Sequence, residues 1–321
     1  MKITVLMPVL NDWTCAAELL RRLDTSFGGL EDEVSVLIVD DGSSDPIPPD
    51  FFAVACKKLR SVQALVLKKN LGHQRALAMG LCYISEEVPS DLVLIMDSDG
   101  EDEPSDALQL IEVAKSNPES AVVFAERTKR SESMVFRLCY FIYRALHYLL
   151  IGQGIRFGNF SVLPFAMVPG LTVEPMLWNH YAASVVRSRM PIKLVPTSRG
   201  RRISGESRLN FTALVIHGLS AWACYNERIG VRILILMTLP LVLGVISIFV
   251  IIGIRLLTTL AIPGWTSQLV VLVTILLLQM ATLMVSFVLN TVGNRSGQPF
   301  LPARDYKWFI KDCIDLYQTP V

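Results

Sequence analysis

The stretch Asp91–Pro104 reads D-L-V-L-I-M-D-S-D-G-E-D-E-P, and its reading decides the fold. A short apolar run, Leu92 to Met96, ends in a cluster of acids. That is the pattern of a buried strand whose C-terminal end opens into a charged crevice, the end at which open α/β sheets bind ligands. On an extended backbone Asp97, Asp99 and Glu101 would project to one side. Three like charges repel unless a cation joins them, and hard oxygen ligands suit Mg²⁺ or Mn²⁺. A solvated acidic loop is the alternative, so the rest of the chain has to weigh between the two.

Working outward, the same alternation of strand, loop and helix repeats on both sides. Lys2–Met7 is a β-rich run closed by Pro8, followed by a helix over Cys15–Leu23 with Asp12 or Thr14 as its cap. Val34–Val39 is a second strand and ends in D-D-G-S-S-D, Asp40–Asp45, either an ordinary turn or part of a site. Ala64–Leu67 runs into K-K-N-L-G-H-Q-R-A and a helix reaching Ile84. Gly72, just before that helix, would let the backbone approach a phosphate at the helix N-terminus. Leu92–Met96 is the fourth strand and Ala121–Phe124 the fifth, followed by E-R-T-K-R. The alternation predicts a doubly wound α/β domain with a mainly parallel sheet, its loops gathered along one edge.

Beyond this domain the composition changes. Met134–Ile151 mixes aromatic residues with Arg137, Arg144 and His147, as an amphipathic helix at a membrane surface or a helix packed in the domain would. Ser198–Arg208, S-R-G-R-R-I-S-G-E-S-R, carries four arginines, which suit anions near an acidic site or a solvated loop. Leu209–Tyr225 reads as a second amphipathic segment. Ile233–Ile254 and Leu269–Leu289 are uncharged apolar spans long enough to cross a hydrocarbon core, which needs about 20 residues. Arg228 and Arg232 precede the first span, and Arg295, Arg304, Lys307 and Lys311 follow the second. The positive-inside rule therefore puts both ends in the cytosol. The tail beyond residue 292 has two places to go, the membrane interface or a neighbouring subunit.

Of 321 residues 52% are hydrophobic and the net charge is +1, a balance that argues against nucleic acid as a partner. The six cysteines are scattered without C-x-x-C spacing and read as reduced, mostly core thiols. Ile3–Met7 is too short for a signal-peptide core, so the first domain is expected to stay cytoplasmic.

Taken in order, these motifs resemble the membrane-associated family-2 glycosyltransferases of GT-A fold, specifically the polyprenyl-phosphate glycosyltransferases related to dolichol-phosphate mannose synthase. P-V-L-N-D at Pro8–Asp12 is similar to the family's P-x-Y-N-E, with Leu10 and Asp12 in place of Tyr and Glu. V-D-D-G-S-S-D at Val39–Asp45 fits its nucleotide-binding turn, and N-L-G-H-Q-R-A the segment opening its third helix. D-S-D-G-E-D-E-P aligns with D-A-D-L-Q-x-P-P, A-E-R at Ala125–Arg127 with G-S-R, and R-I-S-G-E-S-R at Arg202–Arg208 with R-x-x-G-x-S-K.

The resemblance implies a GT-A domain over 1–208, with 134–151 an interfacial helix. An amphipathic interface helix over 209–230 follows, then two transmembrane helices within 231–291 and a cytosolic tail over 292–321. It implies transfer, with inversion, of a sugar from a UDP- or GDP-sugar to a polyprenyl phosphate at the cytoplasmic face, most simply of a bacterial inner membrane. Pro8, Leu10, Asp12, Asp40, Asp41, Gly72, Asp97 and Ser98 fall on donor-binding positions. Asp97, Asp99 and Glu101 fall on metal positions for Mg²⁺ or Mn²⁺. Arg127, Arg201, Arg202, Ser207 and Arg208 fall on the segments that hold the diphosphate and the acceptor's phosphate. Asp97, Asp99, Arg127, Arg202 and Asn159 would form the catalytic set. Homo-oligomerisation fits the resemblance and the aromatic tail. Two departures stand out: Asn159 in G-N-F-S where many relatives have the acid of G-D-F-R, and Arg208 for the usual Lys. The rival readings are a processive polysaccharide synthase, for which the Q-x-x-R-W motif is missing, and a membrane scaffold that kept the fold without the chemistry.

Overall fold

The computed structural model describes residues 1–48, 51, 56–116, 121–127, 145–152, 157–198, 200–205, 218–259, 262, 264–296 and 300–318, and the side chains of 127 and 294–296 are not among them. The chain forms two compact units. One comprises Met1–Leu138, Ile155–Cys224 and Phe300–Val321; the other comprises Cys139–Gly154 and Tyr225–Pro299.

The first unit is built on an eight-stranded sheet of order β7-β5-β6-β4-β1-β2-β3-β8. Its strands are β1 (Lys2–Val9), β2 (Glu33–Asp40), β3 (Leu59–Leu67), β4 (Leu92–Ile95), β5 (Val122–Arg127), β6 (Ser161–Pro164), β7 (Ile192–Thr197) and β8 (Ile310–Gln318). The helix α1 (Trp13–Ser26) follows β1, α2 (His73–Glu87) follows β3 and α3 (Pro104–Lys115) follows β4. The central block β4-β1-β2-β3 is parallel, as the strand and helix alternation predicts.

Burial explains the apolar runs. Every residue from Ile3 to Val9 is buried, because helices cover both faces of the central strands. The two faces sort with period 2. Ile3, Val5 and Met7 pack with α1 and α3 residues such as Leu19 and Leu110, whereas Leu6 packs with Leu77 and Leu81 of α2. Cys15, Cys56, Cys82 and Cys224 are buried free thiols, and only Cys313 of the described cysteines is exposed.

Two antiparallel strands depart from the expected pattern. β6 inserts between β4 and β5 and runs antiparallel to both. Its four residues, S-V-L-P, are too few to show a period. β8 runs antiparallel to β3 and places the chain's tail in the sheet, a correction to both places expected for it. Tyr306, just before β8, is fully enclosed and donates its hydroxyl to Glu86 on α2 at 3.0 Å. Burying a large apolar side chain contributes about 2 kcal/mol, which helps hold the tail to the sheet.

The second unit contains two helices, Asn226–Leu257 and Trp265–Ser296, both long and apolar enough to cross a membrane. A Cβ on Gly230 would fall 1.6 Å from the Phe287 ring, and one on Gly244 2.7 Å from Leu277. Small residues thus let the two helices approach closely, and the descending partner numbers show them antiparallel. Ile235, Leu239 and Phe249 are each more than 60% exposed, so this surface calls for an apolar solvent. Hydroxyls of Thr238, Ser247, Thr274, Thr282 and Thr291 are satisfied by carbonyls of their own helix. Residues 145–151 are helical with Tyr148 exposed. The rest of the expected 134–151 helix, and most of the 209–225 segment, lie outside the described residues.

Candidate active site

Parallel strands β2, β1 and β4 lie side by side, so their C-terminal loops meet at one edge. The β1 and β2 loops are stitched together by Asn11. Its backbone takes a positive φ of 53°, a conformation asparagine tolerates better than most residues. Asn11 N donates to Ser43 Oγ at 2.9 Å, and Asn11 Oδ1 accepts from Asp45 N at 3.1 Å.

The acids after β2 serve the scaffold. Asp40 Oδ1 accepts from Ser43 N at 2.9 Å. Asp41 is 3% exposed; its oxygens accept from Leu71 N at 2.7 Å and Gly72 N at 2.9 Å. Burial raises the Asp41 carboxyl above the usual range, and these two backbone donors oppose that shift. The start of α2 therefore already holds an internal anion. Gly72, read as the place where the backbone could approach a phosphate, has its N–H shared between Asp41 and Asn70 Oδ1, each at 2.9 Å.

The acids after β4 are placed differently. The backbone leaves the extended form after Met96 and turns at Ser98–Asp99, with Gly100 at φ +84°. This turn corrects the expected projection of Asp97, Asp99 and Glu101 to one side. Asp102, 2% exposed, accepts from Asp97 N at 3.0 Å and pins the loop from beneath. Asp99 Oδ1 accepts from Glu101 N at 3.0 Å, while Asp99 Oδ2 accepts from Arg202 Nη1 at 3.0 Å. Arg202 also donates through Nη2 to Asp12 and through Nε to Ser204 O at 2.9 Å. Burial works against its charge, but the hydrogen bonds and charges of Asp12 and Asp99 outweigh it and raise its pKa. The basic segment is docked along the acid loop: Gly200 N donates to Glu101 O and Ile203 N to Asp99 O, each at 2.9 Å.

Asp97, Asp99 and Glu101 have the hard oxygens a divalent cation prefers. They form no cage by themselves: among the described residues no three of His, Cys, Asp and Glu could hold a metal ion together, and Arg202 already sits on Asp99, so a divalent cation here would be held by one or two of these carboxylates together with phosphate oxygens.

Asn159, half-buried before β6, meets the start of α2. Its Nδ2 lies 3.0 Å from His73 Nε2, and its Oδ1 accepts from Gln74 Nε2 at 3.2 Å. His73 Nε2 is also 3.4 Å from Asp97 Oδ1.

The structure thus gathers Asp12, Asp97, Asp99, Asn159 and Arg202 around one edge, with exposed Arg201 beside them. Pro8 is buried in β1 opposite Val39, Leu10 is half-buried at the loop start, and Ser98 is buried in the turn. Arg127 sits in β5 opposite Thr197, its side chain outside the described set, and Ser207 and Arg208 lie outside it altogether. Sequence reasoning missed Asn11, His73, Gln74 and Asp102. Asn11 alone had a visible signal, an asparagine at a strand's end before a helix cap.

Comparison with known proteins places this geometry. Residues 4–169, just over half of the chain, match the family described as Glycosyl transferase family 2. The chain is 32% identical over 136 residues to undecaprenyl-phosphate 4-deoxy-4-formamido-L-arabinose transferase of Klebsiella pneumoniae (strain 342), covering 42% of this chain and 39% of that protein. The enzyme of the same name from Erwinia tasmaniensis is 30% identical over 226 residues, 67% of this chain and 65% of that one. The chain therefore spans less than two thirds of the length of either relative. Among solved structures, glucosyl-3-phosphoglycerate synthase from Mycobacterium tuberculosis, in complex with Mn²⁺, UDP-glucose and phosphoglyceric acid, superposes with a TM-score of 0.52. The identity is 17%, over 71% of this chain and 80% of that one, a likeness of fold. A further mycobacterial protein gives a TM-score of 0.50 at 18% identity, over 71% of this chain and 75% of that one. With a mainly parallel sheet, its loops gathered at the strand ends, and this match, the chain belongs to glycosyl transferase family 2 and carries its GT-A fold.

Proposed function

We propose that the protein transfers a sugar, with inversion, from a nucleotide-diphosphate sugar to a polyprenyl phosphate at the cytoplasmic face of a bacterial inner membrane. The observation that carries this reading is the pairing of a family-2 site with two helices whose exposed apolar surface suits a bilayer. The named relatives support the lipid phosphate as acceptor. The UDP-glucose of the structural neighbour supports a uridine donor.

The donor lies across the ends of β1, β2 and β4, its nucleoside against Leu10, Asp12 and Ser98. The lipid-phosphate oxygen attacks the anomeric carbon while the bond to the nucleoside diphosphate breaks, and that electron pair leaves with the diphosphate. No base is required, because a phosphomonoester with a second pKa of about 6 is largely dianionic at neutral pH. Asn159, an amide, is consistent with that. Arg201 and Arg202, with Arg127 from β5, stabilise charge on the departing diphosphate, an electrostatic contribution that usually dominates. No step here runs through Mg²⁺ or Mn²⁺; a cation bound to Asp99 would have to displace Arg202 from it.

Purified full-length protein in detergent, given undecaprenyl phosphate, Mg²⁺ or Mn²⁺ and a panel of UDP- and GDP-sugars, tests the reading. Lipid-dependent release of nucleoside diphosphate with one donor, and a lipid of matching added mass, is the expected result. Long polymer in place of a single added sugar would point to a synthase. Absence of turnover with every donor, despite nucleotide binding, would point to a scaffold.

A further inference from the structure

The first turn of α1 grips the basic segment at two points, and only one of them is an ion pair. Asp12, at the cap of the helix, takes Arg202 Nη2. Three residues on, Cys15 Sγ donates to Ser204 O at 3.7 Å and lies 3.1 Å from Ser204 Oγ, a contact that one S–H and one O–H can satisfy together. Cys15 is 1% exposed, yet it belongs to neither cluster of apolar side chains that forms the core, whereas Cys56 and Cys82 do. On α1 it shares a flank with Glu18 and Arg22, both partly exposed, while Trp13, Ala16 and Leu19 face inward. The thiol is thus spent on the turn at Ser204 and not on the core.

The carbonyl that Cys15 meets also accepts from Arg202 Nε at 2.9 Å. A guanidinium is planar, so a partner on Nε sets the plane in which Nη1 and Nη2 lie. Here those two nitrogens reach Asp99 and Asp12. We infer that Cys15 is a positioning residue for Arg202: its thiol fixes the Ser204 carbonyl, the carbonyl fixes Nε, and the guanidinium is held at the ends of β1 and β4. Gly200 N and Ile203 N tie the same segment to the acid loop on its other side, so Cys15 and Asp12 are its attachment to α1. A group that stabilises departing charge does so best when it is already aimed, which links the thiol to kcat. That bearing on sugar transfer rests on the function proposed above; the placement of Arg202 does not.

Amide hydrogen exchange of the full-length protein in detergent, read by mass spectrometry alongside steady-state kinetics, tests this. In Cys15→Ala the amides of Gly200 and Ile203 should exchange about tenfold faster, with α1 and β1 unchanged. For transfer, kcat should fall about tenfold while KM for the donor moves by less than about twofold, because Arg202 acts on charge that develops as the diphosphate leaves. Cys15→Ser, which keeps a donor, should stay close to the wild type in both readouts. Should Cys15→Ala not fold, Ser204→Ala removes the hydroxyl side of the contact at an exposed position and should speed the same amides. Exchange at 200–203 unmoved by both alanine variants overturns the inference. So does faster exchange spread through α1, the mark of a merely structural thiol, or a serine variant that behaves like alanine. The expected exchange pattern in a protein that turns over no donor would uphold the placement of Arg202 and sink the transferase reading alone.

Discussion

Two loops at the same sheet edge carry the same signal, acids followed by glycine, and their acids do opposite work. After β2, Asp41 spends its oxygens on the backbone of Leu71 and Gly72 and is closed off from solvent. After β4, Asp99 spends one oxygen on its own loop and turns the other to Arg202, a side chain 103 residues away. A carboxylate that meets two backbone donors becomes part of the frame. One that meets only one keeps an oxygen for another partner.

The largest expected effect breaks the second loop and spares the frame. Asp99→Asn should lower kcat for sugar transfer by about a hundredfold or more, the scale seen when one electrostatic partner of a reacting group is removed. Its thermal unfolding midpoint should stay close to that of the wild type. Asp41→Ala should do the reverse. It strands the Leu71 N–H, while Gly72 N keeps Asn70 Oδ1 as an acceptor, and costs about 1–3 kcal/mol, read as a lower denaturation midpoint, with activity lost only as folded protein is lost.

Gly100→Ala sharpens the contrast. A Cβ there would lie 2.5 Å from Ile203, at a backbone φ of +84°. The strain should cost about 1–3 kcal/mol and loosen the basic segment, raising KM for the donor more than it lowers the midpoint. Gly42 faces the matching problem after β2, where a Cβ would meet Asn70 N at 2.6 Å. Gly42→Ala should therefore register in stability.

The smallest effect lies away from both loops. Asp24 is partly buried, which raises its pKa, but N–H donors from Lys57, Lys58 and Leu59 outweigh that and lower it. Asp32 is lowered likewise, with burial opposed by Lys115 and the N-terminal amine. A folded pKa below the unfolded value of 3.8 means stability fully present above that pH and lost as pH falls through the folded pKa. Unfolding midpoints should hold from neutral pH to about 5 and drop below about 4. Asp24→Asn, costing about 1–2 kcal/mol, should flatten that drop.

What the sequence revealed follows the same physics. β1, β2 and β4 were legible because helices on both faces demand continuous apolar runs, and the two long helices because nothing charged interrupts them. β3 begins at Leu59, five residues before the expected start, because Arg60 and Gln63 on its early half are polar. β8 was hidden because an edge strand with most of its residues exposed, I-K-D-C-I-D-L-Y-Q, reads as a charged tail. The site was legible as a list and not as an arrangement. Asp97, Asp99, Arg202 and Asn159 were all singled out, yet alternation in sequence promised three acids side by side, and the turn at Gly100 with the ion pair to Arg202 undid that. No local pattern announces a partner 103 residues distant, or the glutamine that orients Asn159.

The last strand also sets an order of events during synthesis. Gln63 on β3 bonds Asp315 on β8 across 252 residues, with both long apolar helices made in between. At about 5–20 residues per second, β3 waits roughly 10–50 s for its neighbour. During that interval its edge is a bare row of peptide groups, open to pairing with another nascent chain. A ribosome stall within the apolar helices would prolong that exposure, and a chain released there would carry an unfinished sheet.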